Sequence, residues 1–578
     1  MVQIYIILGE ITLNLVDSFR PLLLSFKDVL YVVICQAIIK MQEVSIMEKF
    51  VLLGDEAVAL GAIHAGISGS FSYPGTPATQ IQEFVQRTSR GDVRCHWSAN
   101  EKAAYEEALG VSYVGKRALV SMKHVGLNVA ADAFVNSAIT GVDGGLVVVT
   151  GDDPGMHSSQ NEQDSRFYAQ FAKTLCFEPS SQQEAYDMTR EAFKLSEEFI
   201  LPLMIRLVTR LAHSRANIKT SKKDMQRELK PTDDIKRWTL MPANARVRFK
   251  KLNEQQSELI GYSEDSPWNE LNIKPGAGLG VIASGIGFNY LKEVLSLLSL
   301  EVSYLKINIY PLPLKKVKEL ISSVSELLVV EEGYPLIEGS LRGLLDCGGT
   351  KIRGKMSGDL PITGELTPET VCRALGGKEK VNKVSLSFQL PIRPPALCQG
   401  CPHIDTYAAL KDALADYPDV RVFSDIGCYT LGFLPPYQAI HSCVEMGASI
   451  GMAKGAAEAG LYPSLAVIGD STFVHSGMTG LVGAARNNTD MTVVIMDNDY
   501  AAMTGGQKTV VSGEGLVNLV KGLGVDPAHV RVIIPLPKNR KKNAEVFRKE
   551  ITHHGLSVII SRRACVVAVR KKKEGGEE

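Results

Sequence analysis

Apolar residues gather in short continuous runs, separated by alanine-rich and charged stretches with helical spacing. That alternation recurs along the chain. Between 47 and about 216, the runs "ALVSM" (118–122), "GLVVVTGDD" (145–153) and "PLMIRLVTR" (202–210) read as buried strands. "NEKAAYEEALGVSYVG" and "SQQEAYDMTREAFKLSEEF" read as helices. Unbroken apolar strands alternating with helices predict a parallel α/β sheet covered on both faces. A polar, lysine-rich stretch from about 217 to 274 lacks a core pattern and reads as a linker or solvated insertion. "GLGVIASGIGFNYLKEVLSLL" restarts the alternation, and "SELLVVEEG" continues it in a smaller α/β unit over 275–378. A second linker is predicted over 379–395, a third α/β unit over 396–572 and a charged tail over 573–578.

Residues 1–46 follow a different pattern. They are apolar, but Glu10, Asp17, Arg20, Lys27 and Asp28 interrupt them. No uninterrupted span approaches the roughly 20 apolar residues of a membrane helix. A basic start and a small-residue cleavage site are both absent, so a signal peptide is not indicated. The segment reads as an extension from a misassigned start codon, with an amphipathic cap or weak membrane contact as the alternative. Charge adds one exclusion: 63 Lys and Arg balance 63 Asp and Glu, so overall charge supports neither a nucleic-acid nor an anionic-membrane partner. Ten cysteines in a chain this long do not make a secreted disulfide scaffold and suit a reducing, cytoplasmic setting.

The candidate chemistry lies in the third unit. "SLAVIGD" (464–470) and "MTVVIMDND" (491–499) are strand-like and end in residues whose side chains carry ligand oxygens. One crossover helix between them would make the strands parallel neighbours, with Asp470 and Asn498 at adjacent carboxyl ends, where ligands collect in such sheets. A carboxylate, an amide oxygen and a backbone carbonyl would leave an octahedral Mg²⁺ room for two phosphate oxygens and a water. Backbone N–H groups near Ser471 and Thr472 would face an anion. Two unrelated strand-end turns would give the same letters.

This stretch resembles the thiamine-diphosphate signature, with Ser471 where a glycine is usual. "GDSTFVHSG" with "MDNDYAAMTG" is similar to the large subunit of indolepyruvate:ferredoxin oxidoreductase, and so are "YPGTPAT", "SANEKAAYEEALG", "MKHVGLNVAAD", "GDDPGMHSSQNEQDSR", "LCQGCPH" and "SDIGCYTLG", in order, over 47–569. The resemblance implies three-layer parallel-sheet domains of the thiamine-diphosphate-binding fold, with a smaller transketolase-C-like α/β domain. It implies oxidative decarboxylation of an aryl 2-oxoacid to an acyl-coenzyme A through the thiamine diphosphate ylid, with ferredoxin as acceptor. A small β subunit would complete a hetero-oligomer.

By the same resemblance, Gly469, Asp470, Ser471, Thr472, Asn498, Tyr500, Met503 and Thr504 would bind cofactor. Asp470, Asn498 and the Tyr500 carbonyl would hold Mg²⁺. Glu101 would hydrogen-bond the aminopyrimidine, although a first-turn acid is also what a helix dipole favours. Thr76, Lys123 and His124 would lie near the substrate carboxylate or departing CO₂. His157, in a polar loop, and His475, five residues beyond Asp470, would serve substrate or cofactor. A bland reading exists for each: a proline-flanked turn, a surface Lys-His pair, a loop histidine and a helix-surface histidine.

Cys398 and Cys401 form C-x-x-C, and with Cys428 and Cys565 they would ligate a proximal [4Fe–4S] cluster. Zinc or packing thiols are the alternatives. The two clusters of the family's usual ferredoxin-like tail are not carried over, because the chain ends "SRRACVVAVRKKKEGGEE". A non-oxidative thiamine-dependent decarboxylase or lyase, and a non-catalytic assembly subunit, remain the rival functions.

Overall fold

The computed structural model describes residues 49–232, 234, 236–344, 349–377, 395–418 and 420–573. The proposed extension 1–46, the linker 379–395 except its last residue, and the charged tail beyond 573 lie outside the described residues. By internal contacts, 49–50 and Lys219–Lys223 belong to a small unit, and the remaining described residues form the main one. The main unit carries everything that follows.

The first sheet takes its strands from β1 (Gly69–Ser72), β2 (Arg94–Trp97), β3 (Ala118–Lys123), β4 (Leu146–Asp152), β5 (Cys176–Phe177) and β6 (Leu203–Val208). Helices α1 (Glu101–Tyr113), α2 (His124–Thr140), α3 (Arg166–Ala172) and α4 (Gln182–Phe199) connect them. Every residue of β3, β4 and β6 is buried, as continuous apolar runs require of strands covered on both faces. Asn100 caps α1 by accepting the Ala103 N–H at 2.8 Å, and Ser181 caps α4 in the same way.

The stretch read as a linker or solvated insertion over 217–274 is only partly irregular. It contains α5 (Pro242–Glu254) and α6 (Gln256–Asp265), followed by the short strand β7 (Leu271–Asn272). These helices bury Leu252 and Leu259 and little other apolar surface, too few positions to show as a periodic pattern.

The middle sheet has the order β12-β11-β8-β9-β7, from β8 (Leu279–Ser284), β9 (Ser303–Ile307), β11 (Glu326–Val330) and β12 (Lys351–Arg353) with β7. It is parallel except for the β9–β7 pair. Directly after β9, strand β10 (Ile309–Tyr310) crosses to the first sheet and pairs antiparallel with β5. The first sheet therefore has the order β10-β5-β6-β4-β3-β1-β2, and one of its edges belongs to the middle domain.

Buried charge reinforces that junction. The Arg166 and Arg206 side chains are fully buried. Arg166 pairs with Asp164 at 2.5 Å and with Glu331 of the middle domain at 3.0 Å. Arg206 pairs with Asp152 at 2.6 Å and Glu178 at 2.5 Å, and donates to the Glu332 carbonyl.

The third sheet consists of β13 (Arg421–Ser424), β14 (Ser464–Gly469), β15 (Met491–Asp497), β16 (Val530–Ile533) and β17 (Leu556–Arg562), all parallel, in the order β13-β14-β15-β17-β16. Alternate residues face opposite layers. Ile468, Val493, Ile495 and Ile560 pack with Ile450 and Leu481; Val467, Val494, Met496 and Ile559 pack with Tyr407, Leu410 and Phe547. The covering helices include α7 (Pro402–Ala413), α8 (Ala448–Glu458) and α9 (Met478–Asn487). Among the described residues, no helix is long and apolar enough to cross a membrane.

The buried charges give a stability test. Arg206→Met should lower the unfolding free energy by about 3–5 kcal/mol in denaturant titrations, because it leaves buried carboxylates uncompensated. Removing the exposed Arg540, which pairs with Asp412, should leave the midpoint unchanged.

Candidate functional site

The parallel register of β14 and β15 sets Gly469 beside Met496, so Asp470 and Asn498 emerge together at the carboxyl edge of the sheet. The crossover predicted between them is the helical path from Asp470 to Asn487, with a π-helical turn at Phe473–Gly477. Asp470 is buried. Its Oδ2 accepts the N–H groups of Asn498 at 3.0 Å and Asp499 at 2.7 Å, and its Oδ1 accepts the Ser471 N–H. Asp499 adopts a left-handed backbone (φ 69°), which turns the chain back over the strand ends.

Asn498 is oriented from both ends of its amide. Oδ1 accepts the Tyr500 N–H at 3.1 Å, and Nδ2 lies 3.2 Å from Nε2 of the buried His403. Burial lowers the His403 pKa to about 4, so its ring is neutral and can accept.

These groups line one pocket, together with Tyr73, Pro74, Gly427, Cys428, Tyr429, Met446, Gly469, Ser471, Thr472, Met503 and Thr504. Two glycines owe their place to Tyr429: a Cβ at Gly427 or Gly469 would come within 2.3 Å or 2.6 Å of its ring. Burial first, and the neighbouring Asp497 second, push the Asp470 carboxyl up to about 8. Among the described residues, no basic side chain is recorded as an ion partner of Asp470. A buried carboxylate beside an amide oxygen, near enough to a second carboxylate to feel its charge, has the donor chemistry of a Mg²⁺ site. The residues fit the cation and an anionic ligand bound through it.

Side chains of the first domain meet this edge at Ser471 and at His475. The Tyr73 hydroxyl lies 2.8 Å from Ser471 Oγ, so the residue that departs from the usual glycine makes a bond glycine could not. Glu101, buried at the start of α1, lies 2.7 Å from His475 Nε2 across 374 residues of sequence. Asn100 Nδ2 donates to the His475 carbonyl, and the Tyr73 ring packs edge-on against the imidazole. The other side of Glu101 rests on Gly126, where a Cβ would lie 2.5 Å from both Cγ and Oε1. Glu101 itself does not line the pocket; it connects to it through His475, Tyr73 and Ser471.

Lys123, His124 and Thr76 form a second group. Lys123 and His124 are buried, not a surface pair. Lys123 Nζ donates to the Ser158 carbonyl at 2.9 Å, and burial lowers its pKa to about 8 against the opposing pull of Asp153. The His124 ring nitrogens lie 3.3 Å from the Gly151 carbonyl and 3.1 Å from Asn161 Oδ1. The Thr76 carbonyl accepts from Ser158 at 3.4 Å. None of the three lines the pocket, although the adjoining Pro74 does. His157 is half-exposed and lies 3.5 Å from Glu365 of the middle domain, away from the pocket lining.

The cysteines converge. Burial pushes the Cys401 thiol up to about 11 and the Cys428 thiol up to about 12, with the charges of the other three cysteines of the predicted set adding for Cys428, and those of Cys398 and Cys565 for Cys401. Cys565 is tied to the pocket loop through its N–H to the Asn498 carbonyl. Even so, among the described residues no three His, Cys, Asp or Glu side chains take up metal-ligand spacing. The thiols as placed do not fit an iron–sulfur cluster.

Tyr73, Gly126 and His403 lie within motifs that carry the family resemblance, but nothing in those motifs marks their roles. Met446 lies outside them, and only its three-dimensional neighbours place it at the site.

Two family models match. Residues 60–261 match pyruvate flavodoxin/ferredoxin oxidoreductase, thiamine diP-bdg, and residues 425–560 match thiamine pyrophosphate enzyme, C-terminal TPP binding domain. The chain is 38% identical over 563 residues to the indolepyruvate oxidoreductase subunit IorA of Archaeoglobus fulgidus, covering 91% of this chain and 88% of that one. It is 37% identical to the subunit of the same name from Methanothermobacter thermautotrophicus, with 90% and 87% covered. For the subunit of that name from Pyrococcus abyssi, the identity is 36%, with 90% and 86% covered.

The Gly126 contact can be tested without any assay of function. Gly126→Ala should destabilise the fold by about 1–3 kcal/mol through overpacking against Glu101. Combining it with Glu101→Ala should recover most of that loss in a double-mutant cycle. Strict additivity of the two changes would show that the contact is not made.

Proposed function

Because the chain belongs to the indolepyruvate oxidoreductase subunit IorA family, we propose that it oxidatively decarboxylates an aryl 2-oxoacid of the indolepyruvate kind. The carboxylate would leave as CO₂, the acyl group would pass to coenzyme A, and two electrons would go singly to ferredoxin. A small partner subunit would complete the enzyme. The observation that carries the reading is the buried Asp470 in the pocket wall, with the buried Glu101 of the first domain linked to that wall through His475 and Tyr73.

Asp470, the Asn498 amide oxygen and the Tyr500 carbonyl would hold Mg²⁺, with His403 fixing the amide. Gly469, Ser471, Thr472, Met503 and Thr504 would surround the cofactor. Thiamine diphosphate, when bound, supplies an acidic carbon that adds to keto groups and holds the electron pair released with CO₂. Glu101 would hydrogen-bond the pyrimidine ring nitrogen and hold a proton there. Tyr73 and Ser471 would keep the two domains in register while it does so. Lys123, with His124 and Thr76 nearby, would attract the substrate carboxylate. Buried walls around Lys123 strengthen that attraction by excluding water.

Anaerobic assay of the chain with its small subunit, comparing indolepyruvate, phenylpyruvate and pyruvate, tests the proposal. Acyl-coenzyme A formed with reduced ferredoxin is expected, fastest from the aryl substrates. An aldehyde formed without coenzyme A or an acceptor would favour the non-oxidative rival. Glu101→Gln should lose about 10²-fold or more in turnover. Lys123 is protonated below about pH 8, so KM for the 2-oxoacid should rise as pH passes that value. Lys123→Met should have a high KM with no such rise.

A second element concerns the electrons. The four thiols as placed do not fit a cluster, so the electrons would leave through the partner subunit. Iron and acid-labile sulfide should then be found in the complex purified without air and not in the folded chain alone. Their presence in the chain alone would overturn that route.

A further inference from the structure

His475 was expected to reach substrate, yet both of its ring nitrogens are engaged elsewhere. Nε2 lies 2.7 Å from Glu101 Oε2, and Nδ1 lies 2.6 Å from Ser476 Oγ. The imidazole is buried, whereas Ser476 is half-buried. Glu101, His475 and Ser476 thus form one hydrogen-bonded line running away from the closed interior.

The local fold is built to hold that line. The π-helical turn at Phe473–Gly477 displaces His475 from regular α-helical spacing. Asn100 grips its carbonyl at 2.9 Å and Tyr73 covers its ring, with centroids 4.7 Å apart. At the outer end, Gly447 has a left-handed backbone (φ 92°), and a Cβ there would come within 2.6 Å of Ser476 Cβ. Glycine leaves the serine room. Gly126 closes the opposite side of Glu101, so the carboxylate has little freedom except along the bond to His475.

We propose that His475 is the positioning residue for Glu101 and that Glu101–His475–Ser476 is the path by which this carboxylate exchanges its proton with solvent. The inference rests on Glu101 serving a thiamine cofactor. In one passage, the Ser476 hydroxyl gives its hydrogen to Nδ1 as Nε2 gives its own to Glu101 Oε2. Water then reprotonates Ser476, and the reverse order returns the proton. Imidazole suits the task because its two nitrogens exchange donor and acceptor roles without a net change in charge. The path spares Glu101 a proton exchange through the pocket, which ligands would occupy.

The test uses the full chain with its small subunit, loaded with thiamine diphosphate and Mg²⁺. It compares His475→Gln and Ser476→Ala with the parent. Cofactor affinity is read by calorimetry, and hydrogen–deuterium exchange at the cofactor's reactive carbon by quenched-flow NMR. Both variants should bind cofactor within about threefold of the parent, with exchange slowed about tenfold or more in His475→Gln and about threefold or more in Ser476→Ala. In the cofactor-free chain labelled with ¹⁵N-histidine, Ser476→Ala should move the His475 Nδ1 resonance. Normal affinity with parental exchange rates, or an unmoved resonance, would overturn the proton path. If His475→Gln does not fold, Ser476→Ala decides alone. Failure of the parent itself to bind thiamine diphosphate with Mg²⁺ would overturn the underlying functional reading instead.

Discussion

Arg166 and Arg206 carry full charges with no access to water, and the arrangement of the first two domains follows from how those charges are met. A guanidinium in a dry interior is tolerable only when carboxylates surround it in good geometry. Asp152, Asp164 and Glu178 come from the first domain, and Glu331 of the middle domain adds a fourth carboxylate against Arg166, so the network spans both. Asp152 ends β4 and also accepts from Ser165, while the next residue, Asp153, accepts from Ser158 and Ser159. The network therefore reaches into the loop against which Lys123 rests. A charge balance that looks purely structural sets the position of a candidate substrate contact.

The strands were legible because their apolar runs are continuous, and the Asp470–Asn498 pairing was legible because both residues end strands joined by one crossover. Local signals of that kind survive in one dimension. The meeting of Glu101 with His475 could not be read in this way, since it depends on how two domains face each other across 374 residues. Without family resemblance, Glu101 is simply a first-turn acid. The buried state of Lys123 and His124 was hidden for the opposite reason: a Lys-His pair after a strand looks solvated until the 153–161 loop folds over it. His157 belongs to that same loop but turns outward to Glu365. The helices within the polar stretch were missed because each buries too little apolar surface to leave a period.

Ser471 shows how a departure from a motif gains meaning from structure. A glycine there would serve close approach alone. The serine keeps the chain compact and adds a hydroxyl that meets Tyr73 from the other domain. The pocket edge thus carries part of the domain interface, and a change at either residue is felt by both. His403 acts in a related way from the pocket wall, where its ring, kept neutral by burial, accepts from the Asn498 amide and so fixes which end of that amide faces it.

The π-helical turn holds one residue more than an α-helix would need for the same advance. Each residue of a helix rotates the next by about 100°. Loss of a single codon between Phe473 and Gly477 would swing the imidazole off Glu101, while α9 and the strands on either side could stay where they are. Gain of a codon can restore it. The histidine's hold on this carboxylate thus depends on one extra residue in the turn and not on the sheet that carries it.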